Sequence, residues 1–267
     1  DKETFDTTPY TILVVDDNPD MTDFLKRTFE GYFKRIIIAG DGGEALQLVR
    51  SHVPDIIVSD VMMPRMNGYK LCKTIKEDIN ISHIPVILLT ARDDRQSQIS
   101  GYKNGADGYL SKPFEVEMLM ELIRNRLKNR EYTKKRYLNA GLIPTPEEST
   151  ISLTDETFLI KLNSIIQENI ENSNLGIQFI CQEVGLGRSS LYNKLKALTG
   201  MGANEYISKL RIEKAITLIS GTDMPFSEIA EKTGFTTPSY FSTAFKQYTG
   251  ETPSQYKERK KKGLAGK

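Results

Sequence analysis

Asp16 and Asp17 follow the apolar run Ile12-Leu13-Val14-Val15, and Asp60 follows Ile56-Ile57-Val58-Ser59. Thr90 follows Val86-Ile87-Leu88-Leu89, and Lys112 with Pro113 comes after Gly108-Tyr109-Leu110. Each of these polar residues stands where an apolar strand gives way to a loop. In a parallel sheet the strands all end on one edge, and ligands bind there. Such an edge gathers three carboxylates, a hydroxyl and an amine. Carboxylates that close cannot all stay ionised without a counter-ion. Oxygen donors suit a hard divalent cation, with magnesium the natural candidate. An acidic residue just past a strand also commonly caps a helix, and Asp17 before Asn18-Pro19 fits that role too.

The elements that must position these side chains can be read from periodicity. Strands are expected at about 11–15, 35–39, 55–59, 84–89 and 107–111, alternating with helices at about 19–33, 42–52, 67–78, 93–104 and 114–128. Five such units predict an α/β doubly wound, five-stranded parallel sheet over residues 8–128. Gly42-Gly43 opens the second helix, Asn67-Gly68 the third, and Gly105 stops the fourth.

The strings Asp16-Asp17, Asp60-Val61-Met62-Met63-Pro64-Arg65-Met66-Asn67-Gly68, Leu89-Thr90-Ala91, Gly105-Ala106-Asp107-Gly108-Tyr109 and Lys112-Pro113-Phe114 occur in this order. Together they resemble the receiver domain of bacterial response regulators. The resemblance implies that Asp60 accepts a phosphoryl group from a histidine kinase. It also implies that Asp16, Asp17, Asp60 and the Met62 backbone carbonyl hold Mg²⁺. Thr90, Ala91 and Lys112 would bind the phosphoryl group, with Thr90 and Tyr109 as a switch pair. The Lys112-Pro113 peptide is expected to be cis. The chemistry is consistent. A carboxylate can attack phosphorus to form an aspartyl phosphate, Mg²⁺ and an ammonium offset the developing charge, and a hydroxyl donates a hydrogen bond.

Composition bounds the rest. The 267 residues are 39% hydrophobic and 27% charged, enough for two ordinary cores. No apolar run approaches the roughly 18 residues of a membrane helix, so this segment is expected to make no membrane contact and to be cytoplasmic. The chain opens Asp1-Lys2-Glu3 without methionine, which is read as the C-terminal part of a longer hybrid sensor, with a free-standing regulator as the other possibility. Cys72 and Cys181 are far apart and lack metal-ligand spacing, so they are expected to be buried or half-buried thiols in a reducing compartment. His52 and His83 likewise lack ligand spacing and carry no assigned chemistry. Residues 1–128 hold 17 Lys+Arg against 20 Asp+Glu, net −3, whereas 129–267 hold 19 against 15, net +4. An acidic half beside a basic half suits a cation-binding part joined to a polyanion-binding part.

Residues 129–155 break the pattern with Lys134-Lys135-Arg136, Gly141, Pro144-Thr145-Pro146 and Glu147-Glu148-Ser149-Thr150. They are read as a linker whose first part can extend the preceding helix. Beyond it lies an internal repeat. Ile180-Cys181-Gln182-Glu183-Val184-Gly185-Leu186 matches Ile229-Ala230-Glu231-Lys232-Thr233-Gly234-Phe235 at an offset of 49. Leu195-Lys196-Ala197-Leu198-Thr199-Gly200 then matches Phe245-Lys246-Gln247-Tyr248-Thr249-Gly250 at an offset of 50. Each copy reads as helix, glycine turn, helix, and a helix at about 203–219 joins them, predicting an all-α domain with two helix-turn-helix motifs.

Residues 156–258 resemble the AraC-family DNA-binding domain, most clearly from Gly234-Phe235-Thr236-Thr237-Pro238 through Thr252-Pro253-Ser254-Gln255-Tyr256. The recognition helices are expected at about 188–198 and 238–248. Leu191, Leu195, Leu198, Phe241, Phe245 and Tyr248 are spaced to face the core. Arg188, Ser189, Tyr192 and Asn193, with Thr237, Ser239, Ser242 and Thr243, are left for DNA, and Lys194, Lys196 and Lys246 for phosphates. Family members often carry arginine where this chain has Asn193 and Thr243; Asn193 can instead pair bidentately with adenine, and Thr243 can meet a thymine methyl or a phosphate. Residues 259–267 form a basic tail. The whole predicts a non-enzymatic regulator in which Mg²⁺-dependent phosphorylation of Asp60 controls binding to double-stranded DNA and promotes homodimerisation. The alternative is a phosphorelay intermediate or sink that acts through protein partners only.

Overall fold

The computed structural model describes residues 5–91, 105–139 and 152–265. They form two compact units, the first built mainly from residues 1–139 and the second mainly from residues 157–196 and 200–267. The fourth helix expected at 93–104 and linker residues 140–151 lie outside the described residues. Among the described residues no helix is long and apolar enough to cross a membrane.

The first unit holds parallel strands β1 (Thr11–Val15), β2 (Arg35–Ala39), β3 (Ile56–Asp60), β4 (Val86–Ala91) and β5 (Gly108–Lys112), in the order β2-β1-β3-β4-β5. The order reverses between β1 and β3, so the crevice that an open α/β sheet offers lies at their carboxyl ends. Alternate residues feed two layers. Leu13, Val15, Ile57 and Leu88 pack with Ala45 and Val49 of α2 (Gly42–His52) and with Leu71 and Ile75 of α3 (Gly68–Glu77). Ile12, Val14, Val58 and Leu89 pack with Leu25 and Phe29 of α1 (Pro19–Phe29) and with Leu119, Ile123 and Leu127 of α4 (Val116–Asn139). Burial on both faces explains why β1 and β3 carry the continuous apolar runs Ile12–Val15 and Ile56–Val58.

Several boundaries depart from expectation. The first helix stops at Phe29 because the chain turns through Gly31 at φ +82°. The helix expected to end near 128 continues to Asn139, so the first part of the presumed linker extends it. Residues 129–139 contain neither glycine nor proline to stop it. Strands β3, β4 and β5 each include their polar terminal residues, since Asp60 still pairs with Leu89 and Ala91 with Lys112.

A partly buried ion pair ties β4 to α3. Lys76 Nζ lies 2.8 Å from Asp107 Oδ2 and donates to the Ile84 carbonyl at 2.8 Å, while the same Asp107 oxygen accepts from Val86 N at 2.7 Å.

The second unit is helical, as predicted. Here α5 (Leu153–Glu168) leads into one helix-turn-helix, α6 (Ile177–Val184) and α7 (Arg188–Thr199). Helix α8 (Ala203–Gly221) joins it to a second, α9 (Phe226–Lys232) and α10 (Pro238–Thr249), and α11 (Pro253–Ala265) follows. The copies share their turn: Gly185 and Gly234 both have φ +72°, and the bond from Leu186 N to the Cys181 carbonyl recurs from Phe235 N to the Ala230 carbonyl. Leu191, Leu195, Leu198, Phe241 and Phe245 are buried. Tyr248 is not a core residue. It is 38% exposed, and its hydroxyl donates to the Glu205 carbonyl at 2.8 Å, where water or backbone can satisfy it.

Within α8, Lys209 and Glu213 approach only to 3.9 Å. Burial therefore dominates both: it raises the Glu213 pKa to about 7, against the pull of Lys209, and lowers that of Lys209.

Two outcomes follow for stability. Asp107→Ala leaves the Lys76 ammonium with carbonyl partners but no counter-ion and removes the side-chain acceptor of the Val86 amide, and a urea titration should show a loss of about 2–3 kcal/mol. Glu213 holds its proton more tightly folded than unfolded, so its stabilising contribution is complete below pH 4.5 and lost as pH rises towards 7. Glu213→Gln should therefore be more stable than the parent by about 2 kcal/mol at pH 8 and equal to it near pH 4, as read by thermal melts across that range.

Candidate functional site

The carboxyl edge of the sheet brings Asp16, Asp60 and Lys112 into direct contact. Asp16 is buried just past β1; its Oδ1 accepts from Asn18 N at 2.9 Å, and its Oδ2 accepts from Lys112 Nζ at 2.9 Å. Asp60 is the last residue of the fully buried strand β3, and its Oδ1 lies 2.5 Å from the same Nζ. Its Oδ2 accepts from Met62 N at 2.8 Å. Lys112 thus reaches from the edge strand β5 across β4 to both acids, and the Lys112-Pro113 peptide is cis as expected.

The electrostatics follow from this geometry. Burial raises the pKa of Asp60, and the Asp16 charge adds to the rise while Lys112 and the Met62 amide oppose it. For Lys112, burial opposes the charge, yet the hydrogen bonds and charges of Asp60 and Asp16 together outweigh it and the pKa rises. The ammonium is the counter-ion that lets two acids share one crevice.

Thr90 is 1% exposed at the end of β4, and among the described residues its Oγ1 has no hydrogen-bond partner. A buried hydroxyl left unpaired costs free energy, which marks it as a group waiting for an acceptor. Ala91 is exposed beside Lys112 in the strand register, and Tyr109 is half-buried against the α2/α3 layer. Asp17 is exposed in the bend after β1 and is not buried in the pocket as Asp16 is. It does not cap α1 either, because Asn18 does so by accepting from Asp20 N.

Among the described residues no group of three or more carboxylate, imidazole or thiol side chains gathers to hold a metal by itself. The donor set nonetheless fits Mg²⁺, which favours one or two carboxylates completed by water, carbonyl and phosphate oxygens.

Sequence reasoning missed two parts of the wall. Gly68 passes so close to Asp60 that a Cβ there would lie 2.2 Å from the Asp60 carbonyl oxygen and 3.0 Å from Val61 Cα. Asp41 caps α2, accepting from Gly43 and Glu44 amides, and also pairs with Arg65, which sits in the loop after Asp60 at φ +64°. Asp41-Gly42-Gly43-Glu44 signals a cap, but nothing in the sequence links it to Arg65.

On the helical unit, Arg188, Ser189, Lys196, Thr237, Ser239, Thr243 and Lys246 are exposed, with Asn193 and Ser242 partly so and Tyr192 54% exposed. Lys194 is a correction. It is 0% exposed, with its ammonium over the Phe158 ring 5.1 Å from the centroid. Position 194 lies one turn from Leu191 and Leu198, on the inward side of α7, so it cannot serve phosphate. Thr237 Oγ1 accepts from Tyr240 N as the α10 cap, and Thr243 Oγ1 donates to the Ser239 carbonyl at 3.1 Å. Tyr240, 55% exposed on the first turn of α10, belongs to the same face and was not anticipated.

Comparison with known proteins decides the family. Residues 12–124 match the response regulator receiver domain, and residues 180–259 match a helix-turn-helix domain of AraC type. Response regulator MprA of Mycobacterium sp. strain KMS is 36% identical over 165 residues, which are 57% of this chain and 70% of that protein. The chain belongs to the response regulator family. This response regulator pairs a receiver with an AraC-type helix-turn-helix domain. It is also 41% identical over 249 residues to histidine kinase P4 of Formosa agariphila, covering 93% of this chain and 18% of that protein. Heme response regulator HssR of Staphylococcus saprophyticus is 41% identical over 118 residues, or 44% of this chain and 51% of HssR. The response regulator chain thus spans about half the length of several curated relatives it matches.

Gly68→Ala forces backbone apart beside Asp60. It should destabilise the receiver by about 2–3 kcal/mol in denaturant titration, more than a surface glycine replacement at Gly187, where a Cβ meets nothing within 4 Å.

Proposed function

We propose that Asp60 accepts a phosphoryl group from a histidine kinase and that this modification switches the affinity of the helix-turn-helix domain for specific duplex DNA. The observation that carries the proposal is the pocket itself: Asp60 touched by Lys112, with the unpartnered Thr90 hydroxyl buried at the end of the neighbouring strand. Asp16, Asp17, Asp60 and the Met62 carbonyl would hold Mg²⁺, which when bound neutralises charge on the transferred oxygens.

In the transfer, an Asp60 carboxylate oxygen attacks the phosphorus of a phosphohistidine. A P–O bond forms as the P–N bond breaks, and the imidazole nitrogen keeps the electron pair and takes a proton from solvent. The Met62 amide orients the carboxylate. Lys112 turns its ammonium from the carboxylate to a phosphoryl oxygen, giving that charge a partner of opposite sign. Thr90 donates its free hydroxyl to another phosphoryl oxygen, the Ala91 amide supports it, and Tyr109 follows inward as the switch residue. A receiver surface remodelled in this way would then promote homodimerisation.

On DNA, Arg188, Ser189, Tyr192 and Asn193 would enter one major groove and Thr237, Ser239, Ser242 and Thr243 the next. Asn193 is suited to a bidentate pair with adenine, and Lys196 and Lys246 to phosphates. The similarity to a Formosa histidine kinase across 93% of this chain supports a kinase partner carried in the same polypeptide.

Selection of duplexes from a random pool, with and without acetyl phosphate and Mg²⁺, tests the proposal. The parent should gain at least about tenfold in affinity on phosphodonor treatment, and binding should weaken steeply with salt. Asp60→Asn should gain nothing. An equal gain in that variant would sink the mechanism, and stable phosphorylation without any duplex retention would favour a relay that acts through protein partners.

A further inference from the structure

The two helix-turn-helix copies meet at a junction that α8 alone does not explain. Helix α8 carries Arg211, which is nearly buried near its middle. Its Nη2 donates to the Asn172 carbonyl at 2.7 Å, in the loop before α6 and so in the first copy. The same guanidinium lies over the Phe235 ring of the second copy, 5.9 Å from the centroid. The backbones close around it. A Cβ at Gly234, at φ +72°, would lie 2.2 Å from the Ile170 carbonyl oxygen and 2.8 Å from Arg211 Nη2. One side chain therefore touches both copies.

A buried cation is an expensive way to fill space. Burial lowers the pKa of Arg211, with Tyr240 opposing, and its Nε is buried without a partner. A methionine would pack there at less cost, so the arginine is retained for what its planar fork fixes: a direction to Asn172 and a face to Phe235. Elsewhere on α8, Tyr206 donates to Asn163 of α5 at 2.8 Å and Lys214 to Glu171 at 3.1 Å, both on the side that precedes α6.

We propose that Arg211 is the positioning residue that sets the separation and twist of the two recognition helices, so that the domain engages two successive grooves at one spacing only. This inference rests on the DNA-reading function proposed above.

Two measurements on the full chain test it. Spin labels at Gln182 and Glu231, exposed equivalents in α6 and α9, report the separation of the copies without DNA. Cys181 is first replaced by alanine, the residue at its counterpart Ala230, whereas Cys72 is buried with its thiol pushed up to about 12 and stays unreactive. The parent should give one narrow distance distribution, and Arg211→Met one at least twice as wide, with Arg211→Lys intermediate. The second measurement uses a duplex selected by the parent and the same duplex with one base pair inserted between the two contacted segments, a rotation of about 34°. The parent should lose about tenfold or more on insertion. Arg211→Met should bind the original duplex about tenfold more weakly but lose less than threefold on insertion.

If Arg211→Met does not fold by thermal melt, Phe235→Leu, which keeps apolar volume and removes the ring, takes its place with the same expectations. An unchanged distance width, or an insertion penalty equal to that of the parent, overturns the proposal. Failure of the parent to enrich any duplex would instead remove the DNA-reading function, and the spin-label distances would still decide whether Arg211 sets the separation.

Discussion

Lys112 holds together two buried carboxylates that would repel one another without it. Asp16 and Asp60 reach the carboxyl edge from strands β1 and β3, the neighbours between which the sheet reverses its order, and one ammonium from the edge strand bridges them. Desolvation makes each of these charges costly alone, and their mutual contact offsets the cost. Much else in the receiver can be seen as scaffolding for this contact. The β1 and β3 cores are apolar on both faces so that their ends are rigid, Gly68 lets the following loop fold back over Asp60, and the Met62 amide fixes the carboxylate's second oxygen. The result is a pocket that is balanced but not closed, because the Thr90 hydroxyl beside it remains without an acceptor among the described residues.

The strands and reader helices were legible because each rests on a strong local signal. Continuous apolar runs mark strands buried on both sides, and the repeated glycine turns locate α7 and α10 to within a residue of their expected ends. Where the sequence misled, the missing information was three-dimensional. Lys194 looks like a surface residue by type, and only the approach of Phe158 from α5 shows that the inward side of α7 accommodates a lysine. Tyr248 has the right spacing for the core, but its hydroxyl draws it to the Glu205 carbonyl. The helix through residues 129–139, by contrast, is the extension that the first part of the linker allowed, since the breakers begin only at Gly141.

The pocket was legible in part for a similar reason. Strand ends announce Asp16, Asp60, Thr90 and Lys112, each through its own run. The Asp41–Arg65 pair joins residues 24 positions apart through a left-handed backbone turn, and no local pattern encodes such a pairing. It nonetheless bears on the chemistry, since Arg65 belongs to the loop that carries Met62 to Asp60. Residues with the clearest sequence signatures are therefore those that line the pocket at the strand ends, and those with none are the ones that hold the loops in place.

The duplication in the helical unit has a consequence for the nucleic acid. A symmetric pair of identical subunits presents the same surface twice and treats the two strands of its target alike. Here the copies are unlike: Asn193 stands where the second has Thr243, Tyr192 where it has Ser242, and an extra residue follows the second glycine turn. A single chain of this kind has a head and a tail. It gives any duplex it grips an orientation, and with it a left and a right for whatever machinery is assembled alongside.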